Sequence, residues 1–425
     1  MLESHALLSF ASVHCRRICV GRFEKRTTMS NVPFLRQLRL RNFLSYQDEQ
    51  IECRGLNVLI GANGSGKSNL LECLRILQAT PDDLAAVIRE GGGVDDWISR
   101  APGGPGAASI EAILSADHTR EEFRQRYQLD FTSVRGRLEL TDETLENEQA
   151  LPGHERPYFF YRYQGGDPVL NVRVANAEVV PRRLKRQSLK PDQSIFAQRR
   201  DPEQYPEVSR IAELFAEFRI YRELGIGPSA GYRYPQKLDL PSDQLEEDGS
   251  NLVLVLGTLQ HFDAFRRIEH ELSRFYEGAE RLLITPEAGT LALYLKEAHL
   301  SRPTPATRLS DGTLRFLCLL TVLCHPDPPP VVAIEEPELG LHPDAVLQIA
   351  DLIVEASQRT QLFITTHSEA FVSALSEQVD DVVVCEKING LTRLRRLESE
   401  ALRLWLERYS LGELWRKGEL GGNPV

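Results

Sequence analysis

The stretch LNVLIGANGSGKSNLLECL, residues 56–74, decides the fold. It opens with LNVLI (56–60), a short and mostly apolar run of the kind that forms a strand buried on both faces of a sheet. The loop Gly61–Ser68 then satisfies G-x-x-x-x-G-K-[ST] in full, and a helix is predicted from about Ser68 to Ala79. A buried strand before the loop and a helix after it favour a phosphate-binding loop over an ordinary glycine turn.

The residue types in this loop suit a nucleotide. The glycines let the backbone curl so that its N–H groups point at phosphate oxygens. The following helix directs its positive N-terminal end at the same anion. Lys67 would reach the β- and γ-phosphates, and the Ser68 hydroxyl would bind Mg²⁺. The residues expected to bind the nucleotide here are Gly61, Asn63, Gly64, Gly66, Lys67, Ser68 and Asn69.

Composition places the chain among globular proteins. Its 425 residues suffice for more than one ordinary domain, or for one domain with a large insertion. Hydrophobic residues make up 42% and charged residues 26%, which is normal for a protein with a large core. The formal net charge of −11 excludes a chain that is basic throughout, but a local basic face remains compatible with it.

The sequence also bounds the compartment. No apolar run reaches the ~18 residues that a membrane span needs, so no membrane partner and a cytoplasmic location are predicted. The seven scattered cysteines form no CxxC pair. Buried free thiols in a reducing cytosol fit them best, and no metal site is inferred from them.

The hydrophobic pattern divides the chain into five regions. Period-two alternation predicts antiparallel strands between 34 and 174, helical patterns follow, and buried strands alternate with helices in the last third. The predicted regions are a poorly ordered extension at 1–29, the first half of an α/β head with a β subdomain at 30–184, a helical insertion at 185–285, the second half of the head at 286–395 and a helical tail at 396–425. The fold class is therefore α/β, with a central, mostly parallel sheet.

Two adjacent acids end the apolar run VVAIEE. Glu335 ends the strand where a carboxylate could hold Mg²⁺, often through water. Glu336 is the better candidate for orienting or activating an attacking water. Adjacent acids at a strand end are often merely solvated, but their pairing with the phosphate loop favours a metal-binding and catalytic role.

Two further motifs follow the insertion. In LSDGTLR, Ser310, Asp311 and Gly312 precede a helix, and a hydroxyl, a glycine and a helix N-terminus together form another anion site. One chain with two phosphate-binding ends suggests two chains, each completing the other's site. In FITTHS, His367 follows a buried strand, where a neutral imidazole could sense a γ-phosphate. Each motif alone is weak, and their order along one chain makes the set strong.

The ordered set resembles the ABC-type ATPases of the SMC/RecF/OLD branch. The matching pieces are RLRNFLSYQ, GANGSGKSN, LSDGTLR, IEEPELGLHP and TTHS; with DGSNLVLVL (248–256) they look like the compact stand-alone ATPases of that branch. The resemblance covers residues 33 to about 420 and implies a P-loop NTPase with an ABC-type head. It is specific to the branch rather than to a pathway.

The resemblance also assigns names to the motifs. It makes Gly61–Ser68 the Walker A loop, Glu335–Glu336 the Walker B pair, Ser310–Gly312 the signature motif that acts on the partner's nucleotide, Glu338–His342 the D-loop region and His367 the switch histidine. Glu335 stands where many relatives carry Asp, so Mg²⁺ would sit one methylene further from the strand. The Q-loop glutamine stays open between Gln128 and Gln164.

The implied function is that of an ATPase with ATP and Mg²⁺ as cofactors. Two ATP molecules would be sandwiched between head-to-tail subunits of a homodimer or higher oligomer, and hydrolysis by Glu336, His367 and Lys67 would loosen it. The expected setting is DNA repair or anti-phage defence. A second class stays open, a scaffold that hydrolyses ATP rarely and holds a separate effector. No Asp-x-Asp follows His367, so a Toprim-like nuclease is expected as a separate partner rather than within this chain.

Two surface features bear on partners. The cluster PRRLKRQSLK (181–190), with Arg199 and Arg200, is the best candidate for contact with nucleic-acid phosphates. A solvated loop is the favoured interpretation of that cluster. The C-terminal ESEALRLWLERYSLGELWRKGEL predicts an amphipathic helix and a shorter one with Trp415, which pack on the core or dock a partner.

Overall fold

The computed structural model describes residues 33–100, 106–115, 124–150, 152–164, 167–174, 179–222, 224 and 227–422. The extension predicted at 1–29 lies outside these residues. The strands are β1 Leu35–Phe43, β2 Tyr46–Glu52, β3 Leu56–Ile60, β4 Ala107–Leu114, β5 Gln125–Val134, β6 Arg137–Asn147, β7 Phe159–Gln164, β8 Asp167–Arg173, β9 Val179–Arg183, β10 Arg219–Tyr221, β11 Gln236–Lys237, β12 Ala279–Glu287, β13 Thr290–Glu297, β14 Thr304–Pro305, β15 Val331–Glu335, β16 Gln361–Thr366, β17 Val382–Ile388 and β18 Leu391–Arg396. The α-helices are α1 Lys67–Ala79, α2 Leu84–Glu90, α3 Val94–Trp97, α4 Ile195–Gln198, α5 Pro206–Ala216, α6 Leu252–Leu259, α7 Asp263–Phe275, α8 Asp311–Leu323, α9 Pro343–Ala356, α10 Glu369–Ala374, α11 Ser399–Leu406 and α12 Leu411–Arg416.

A six-stranded sheet in the order β10–β15–β16–β3–β17–β18 carries the phosphate loop. Its first five strands are parallel, and β18 pairs antiparallel with β17. Strand β3 comes from the first part of the chain, whereas β15, β16 and β17 come from the last third. The predicted mostly parallel sheet, assembled from two distant halves of the sequence, is therefore confirmed.

The apolar strands of this sheet are buried because each face packs against its own core. Every residue of β3 and of β16 is buried. Along β3, Val58 and Ile60 belong to one hydrophobic cluster, and Leu59 belongs to the other. Alternate side chains point to opposite faces of a strand, so a continuous apolar run fills both cores at once.

An eight-stranded antiparallel sheet, β2–β1–β4–β5–β6–β7–β8–β9, forms the β subdomain. The hairpin predicted at 34–53 is β1–β2, and the alternating runs between 109 and 174 form strands β4 to β8. Strand β9 closes the sheet and is exposed along its whole length. It contains Pro181, Arg182 and Arg183 of the basic cluster, and proline and charged residues commonly protect an edge strand from unwanted pairing.

The region predicted as a helical insertion is only partly helical. Within the insertion predicted at 185–285, helix α5 ends at Ala216, and residues 219–221 form strand β10 rather than more helix. Strand β10 pairs in parallel with β15, and its Ile220 and Tyr221 are buried. The strand therefore replaces the predicted helix because the edge of the sheet supplies both hydrogen-bond partners and a buried surface. Further along the insertion, residues 252–275 contain two separate helices, α6 and α7. Strand β12 then begins at Ala279, within the region predicted to be helical.

The tail forms the two helices that its pattern predicts. Helix α12 packs on the core through Leu411, Leu414 and Trp415, none of which is exposed. Helix α11 buries no side chain and leaves Leu404 and Trp405 on the surface. The described helices include none with the length and apolar character that crossing a bilayer requires. The cysteines of the described part, at positions 53, 73, 318, 324 and 385, are buried free thiols.

Candidate functional site

The phosphate loop, the two acids and His367 meet at the carboxyl ends of three neighbouring strands. Strand β3 ends at Ile60, before Gly61; β15 ends at Glu335; and β16 ends at Thr366, before His367. Strand β16 lies between the other two, with Thr365 opposite Glu335 and Thr366 opposite Ile60. Ligands of open α/β sheets bind at this edge, so the register alone brings the loop, the acids and the histidine together.

The phosphate loop rests on side chains from distant strands. The Tyr46 hydroxyl donates to the Gly66 carbonyl at 2.7 Å, and the Thr392 hydroxyl donates to the Ser65 carbonyl at 2.7 Å. A Cβ built on Gly66, whose φ is 104°, would overlap Thr392 Oγ1 and lie 2.9 Å from Ser45 Oγ. Glycine is therefore required at 66 both for its backbone angle and for this close support.

A polar chain joins that support to the first turn of α1. The Ser45 and Thr392 hydroxyls are 2.6 Å apart, and the Asn69 amide donates to Ser45 Oγ at 2.7 Å. Asn69 is predicted to bind the nucleotide. In the structure its amide instead contacts Ser45, one of the side chains that support the loop. Asn63 and Gly64, by contrast, are exposed at the tip of the loop.

Lys67, which is predicted to contact the phosphates, is buried against the phosphate loop. Lys67 is only 4% exposed to solvent. Its Nζ donates to the carbonyl of Gly61 at 2.8 Å and to that of Ala62 at 2.9 Å. Burial lowers the pKa of the Lys67 ammonium from its ordinary value, and the neighbouring acidic groups oppose that shift. The positive charge of Lys67 therefore lies within the phosphate loop, where it would contact a bound phosphate.

Ser68 and Glu335 form the oxygen pair predicted to bind metal. The Ser68 hydroxyl, on the first turn of α1, donates to Glu335 Oε1. Hydroxyl and carboxylate oxygens are the donors that Mg²⁺ prefers. Among the described residues, the buried atoms Ser65 Oγ, in the loop, and Glu72 Oε2, on α1, have no hydrogen-bond partner. The donor set and these unsatisfied oxygens fit a site made for a bound cation and its polar ligands.

Arg222 enters the same place from the end of β10. Its Nη1 donates to Glu72 Oε1 at 2.5 Å, its Nη2 lies 3.4 Å from the Ser68 carbonyl, and its Nε lies 3.6 Å from Glu335 Oε2. One guanidinium thus contacts both carboxylates and the backbone of the phosphate loop. The fork of Arg suits such multiple contacts better than a point charge would.

Glu336 and His367 face each other. His367 Nε2 lies 3.3 Å from Glu336 Oε1. Burial, and then the charge of Lys67, lower the pKa of His367 below its ordinary value, which favours a neutral imidazole near pH 7. Glu336 has a left-handed backbone with φ 46°, fixed by a bond from its N–H to the Thr365 carbonyl at 3.0 Å and by Arg315, which donates to its carbonyl at 3.0 Å. Strained backbone of this kind is characteristic of functional positions.

Glu338 connects the segment 338–342 to His367. Its Oε1 accepts from the Thr366 hydroxyl at 2.5 Å and from the His367 N–H at 3.1 Å. Burial raises the pKa of the Glu338 carboxyl, and these hydrogen bonds oppose the shift. The residue therefore fixes the backbone from which His367 projects.

Ser310 lies at the exposed start of α8. It is the N-cap, and its hydroxyl accepts from the Thr313 N–H at 3.0 Å. Asp311 pairs with the buried Arg233 and accepts from the Gly227 N–H at 3.1 Å, and the Arg233 contact lowers the pKa of its carboxyl. The signature segment is therefore anchored from behind while Ser310 faces solvent.

The D-loop region lies beside this segment. A Cβ built on Gly312 would lie 3.0 Å from the Gly340 carbonyl, so the two loops touch. Leu339 is 52% exposed next to them. The described structure therefore presents Ser310, Leu339 and Gly340 together on one surface of the chain.

The open Q-loop alternatives gain no support from this geometry. Gln128 lies in β5 of the antiparallel sheet, where its amide contacts Asp130 at 3.1 Å, and Gln164 ends β7 of the same sheet. Neither is on the six-stranded sheet that carries the site. Arg222 is the residue that the segment between α5 and α6 places beside Glu335.

Comparison with known proteins decides the family. Residues 56–373 match the AAA_21 family, described as “AAA domain, putative AbiEii toxin, Type IV TA system”. The chain belongs to this family. The match begins at β3 and ends within α10, so it spans the phosphate loop, the two acids and His367.

Similar proteins agree with that membership. The DNA replication and repair protein RecF of Limosilactobacillus fermentum is 29% identical over 109 residues, which are 24% of this chain and 29% of RecF. Two crystal structures share the fold with a TM-score of 0.55. One is an Smc head bound to the C-winged helix domain of ScpA, with 16% identity over 87% of this chain and 99% of that chain. The other is an Smc head domain with an extended coiled coil bound to the C-terminal domain of ScpA derived from Pyrococcus furiosus, with 15% identity over 88% and 99%.

These findings place this AAA_21 chain among the ABC-type ATPases of the SMC/RecF branch, with an SMC-head fold. The match spans less than a third of RecF.

Arg222 is a site residue that the sequence did not reveal. Replacing it with Ala is expected to lower kcat for ATP about tenfold, because Glu335 and Glu72 would lose their shared cation. KM for ATP is expected to stay within about threefold, since the loop contacts of Lys67 are unchanged. Steady-state kinetics check this.

The matched control is Arg219→Ala. Arg219 is the first residue of β10, the strand that Arg222 directly follows. Its Nη1 donates to the carbonyls of Ala216 and Phe218. It is expected to leave kcat unchanged. Equal effects of the two substitutions would show that Arg222 acts only through the stability of β10.

Proposed function

We propose that this protein is an ATP-hydrolysing switch whose two chains close head to tail around two ATP molecules. The observation that supports it is the convergence of Lys67, Ser68, Glu335, Glu336 and His367 at one edge of the parallel sheet. Family membership favours ATP as the ligand, and the oxygen donors favour Mg²⁺.

The roles follow from the contacts of each side chain. The loop residues Gly61, Asn63, Gly64, Gly66 and Asn69 shape the backbone cradle, and Lys67 supplies the charge that faces the phosphates. Ser68 and Glu335 are the two side chains that would hold Mg²⁺, which when bound neutralises charge on the phosphates.

Glu336 and His367 act on the attacking water. Glu336 accepts the proton as the water attacks, and its fixed backbone limits where the carboxylate can point. His367 lies 3.3 Å from that carboxylate and, when neutral, orients it and contacts the phosphate end of the substrate.

Closure into a dimer is supported by the surface around Ser310. An exposed hydroxyl at a helix N-terminus is suited to an anion that comes from outside the chain. We assign that anion to ATP bound by the partner chain, with Ser310 and Gly312 completing the partner's site. Hydrolysis would remove the contacts that bridge the chains and loosen the dimer.

The biological setting is proposed from the names of similar proteins. RecF is named for DNA replication and repair, and the family description names a toxin of a toxin–antitoxin system. We assign the switch to DNA repair or anti-phage defence, with a separate Toprim-like nuclease or another effector as partner. The basic residues of β9 are the candidate contact to nucleic acid.

The turnover rate with and without DNA tests this proposal. We expect ATP hydrolysis that depends on Mg²⁺ and rises at least fivefold with double-stranded DNA, because a switch is driven by what it binds. An assay of phosphate release measures both. Slow turnover that is indifferent to DNA would contradict the switch and favour a scaffold that holds an effector.

A further inference from the structure

The end of the described chain returns to the phosphate loop. After α12, Gly421 and Gly422 lie against residues 384–386 of β17, and the Gly422 N–H donates to Glu386 Oε1 at 2.8 Å. A Cβ built on Gly422 would lie 3.4 Å from the Cα of Gly61, the first residue of the loop, and 2.8 Å from Val384 Cγ1. The backbone of Gly422 therefore lies directly against the base of the loop.

A buried tryptophan holds this end in place. The Trp415 side chain is 0% exposed, and its indole N–H donates to the Gly422 carbonyl at 2.7 Å. Arg395 of β18 donates to the Leu420 carbonyl at 2.5 Å, and Leu420 is 1% exposed. The segment is thus anchored by hydrogen bonds to its own helix and to the sheet.

The same segment is bound to the helix that follows the switch histidine. A Cβ built on Gly412 would overlap the Ser373 hydroxyl and the Glu369 carbonyl of α10, so α12 and α10 are in backbone contact. The Leu411 N–H donates to Ser376 Oγ at 3.0 Å, and Arg416 lies 3.5 Å from Glu369. Helix α10 begins two residues after His367.

We propose that residues 411–422, here called the tail brace, are a positioning element of the nucleotide site. The brace fixes the spacing between the phosphate loop on β3 and the helix after His367 on β16. A site held in its binding geometry loses less freedom when its ligand binds, so the brace raises affinity for ATP without touching it. This inference rests on the proposed function, because it takes the loop to be the ATP site.

The first test compares two glycines with left-handed backbone. Gly422 has φ 57° and is crowded, whereas Gly390, in the turn between β17 and β18, has φ 85° and nothing within 4 Å of its built Cβ. Alanine imposes backbone strain at both positions but a clash at Gly422 alone. Gly422→Ala is expected to raise Kd for a fluorescent ATP analogue at least tenfold, and Gly390→Ala to leave it within twofold.

The second test removes one hydrogen bond and keeps an aromatic side chain, with the same loss of volume in the variant and in its control. Trp415→Phe loses the bond to Gly422, and its control Trp97→Phe loses an equivalent bond, from Trp97 Nε1 to the Ile88 carbonyl at 3.1 Å. Both tryptophans are buried, so both variants leave a carbonyl unsatisfied. Only Trp415→Phe is expected to weaken binding of the analogue, by about threefold or more. Equal effects of the two would overturn the brace.

Hydrogen exchange without nucleotide separates the brace from the proposed function. Gly422→Ala is expected to speed deuterium uptake at least tenfold in residues 61–66 and 368–376, with Gly390→Ala unchanged there. Unchanged uptake in both segments would overturn the brace even if ATP binds. Failure of the wild-type protein to bind ATP, with faster uptake in the variant, would contradict the proposed function and the effect on ATP affinity, and would support only the coupling of the two segments through the brace.

Discussion

Glu336→Gln is expected to trap an ATP-bound dimer. The substitution keeps the shape of the side chain but removes the carboxylate that accepts the proton, so hydrolysis should fall by roughly 10²–10⁴-fold. The backbone N–H of residue 336 still donates to the Thr365 carbonyl, and its backbone carbonyl still accepts from Arg315. The local backbone conformation is therefore retained. With binding intact and hydrolysis blocked, the closed state accumulates. Size exclusion with light scattering, with ATP and Mg²⁺, measures the mass.

The control for this experiment is Glu280→Gln. Glu280 pairs with Lys296 at 2.7 Å on the small sheet of β11–β14, so the substitution makes the same change of charge away from the site. It should hydrolyse ATP at the wild-type rate and elute as the wild-type protein does. A Glu336→Gln protein that binds ATP but stays monomeric would show that the site does not need two chains.

Lys67→Ala is expected to abolish useful ATP binding. Lys67 contributes a charge-assisted contact to the phosphates, and the loss of such a contact from an enclosed site costs about 3 kcal/mol, or more than a hundredfold in Kd. The carbonyls of Gly61 and Ala62 would also lose their donor, so the loop would relax. Titration calorimetry with ATP and Mg²⁺ measures the change.

Two controls separate the loss of the phosphate contact from unfolding and from the loss of any positive charge. The variant should retain a cooperative melting transition, since the strands around the loop are unchanged. Lys296→Ala, which removes an exposed ammonium paired with Glu280, should bind ATP as the wild-type protein does. Wild-type affinity in Lys67→Ala would remove the main support for the loop as the phosphate site.

Local sequence features predicted which residues meet at this edge of the sheet. The loop Gly61–Ser68 and the acids Glu335 and Glu336 each depend on a few adjacent residues, so their pattern is complete in the sequence. Parallel pairing of the apolar strands then places them together without further information. His367 could be found for the same reason, because it directly follows a buried strand.

The residues that were missed act through contacts between distant segments. Arg222 follows a strand of only three residues, and FRIYREL has the spacing of a helix, so nothing local indicated β10. Thr392 supports the loop from 327 residues away along the chain. Gly422 touches Gly61 because hydrogen bonds to Trp415, Glu386 and, through Leu420, Arg395 hold the end of the described chain on the sheet. Such contacts are fixed by tertiary packing, which period and propensity do not encode.

The most direct test of the central claim is the position of Ser310 in a crystal or cryo-EM structure of Glu336→Gln with ATP and Mg²⁺. We predict two chains related by a twofold axis, with Ser310 Oγ of each chain within hydrogen-bond distance, about 3 Å, of the triphosphate bound by the other. An ATP-loaded assembly in which Ser310 is remote from every triphosphate would contradict it.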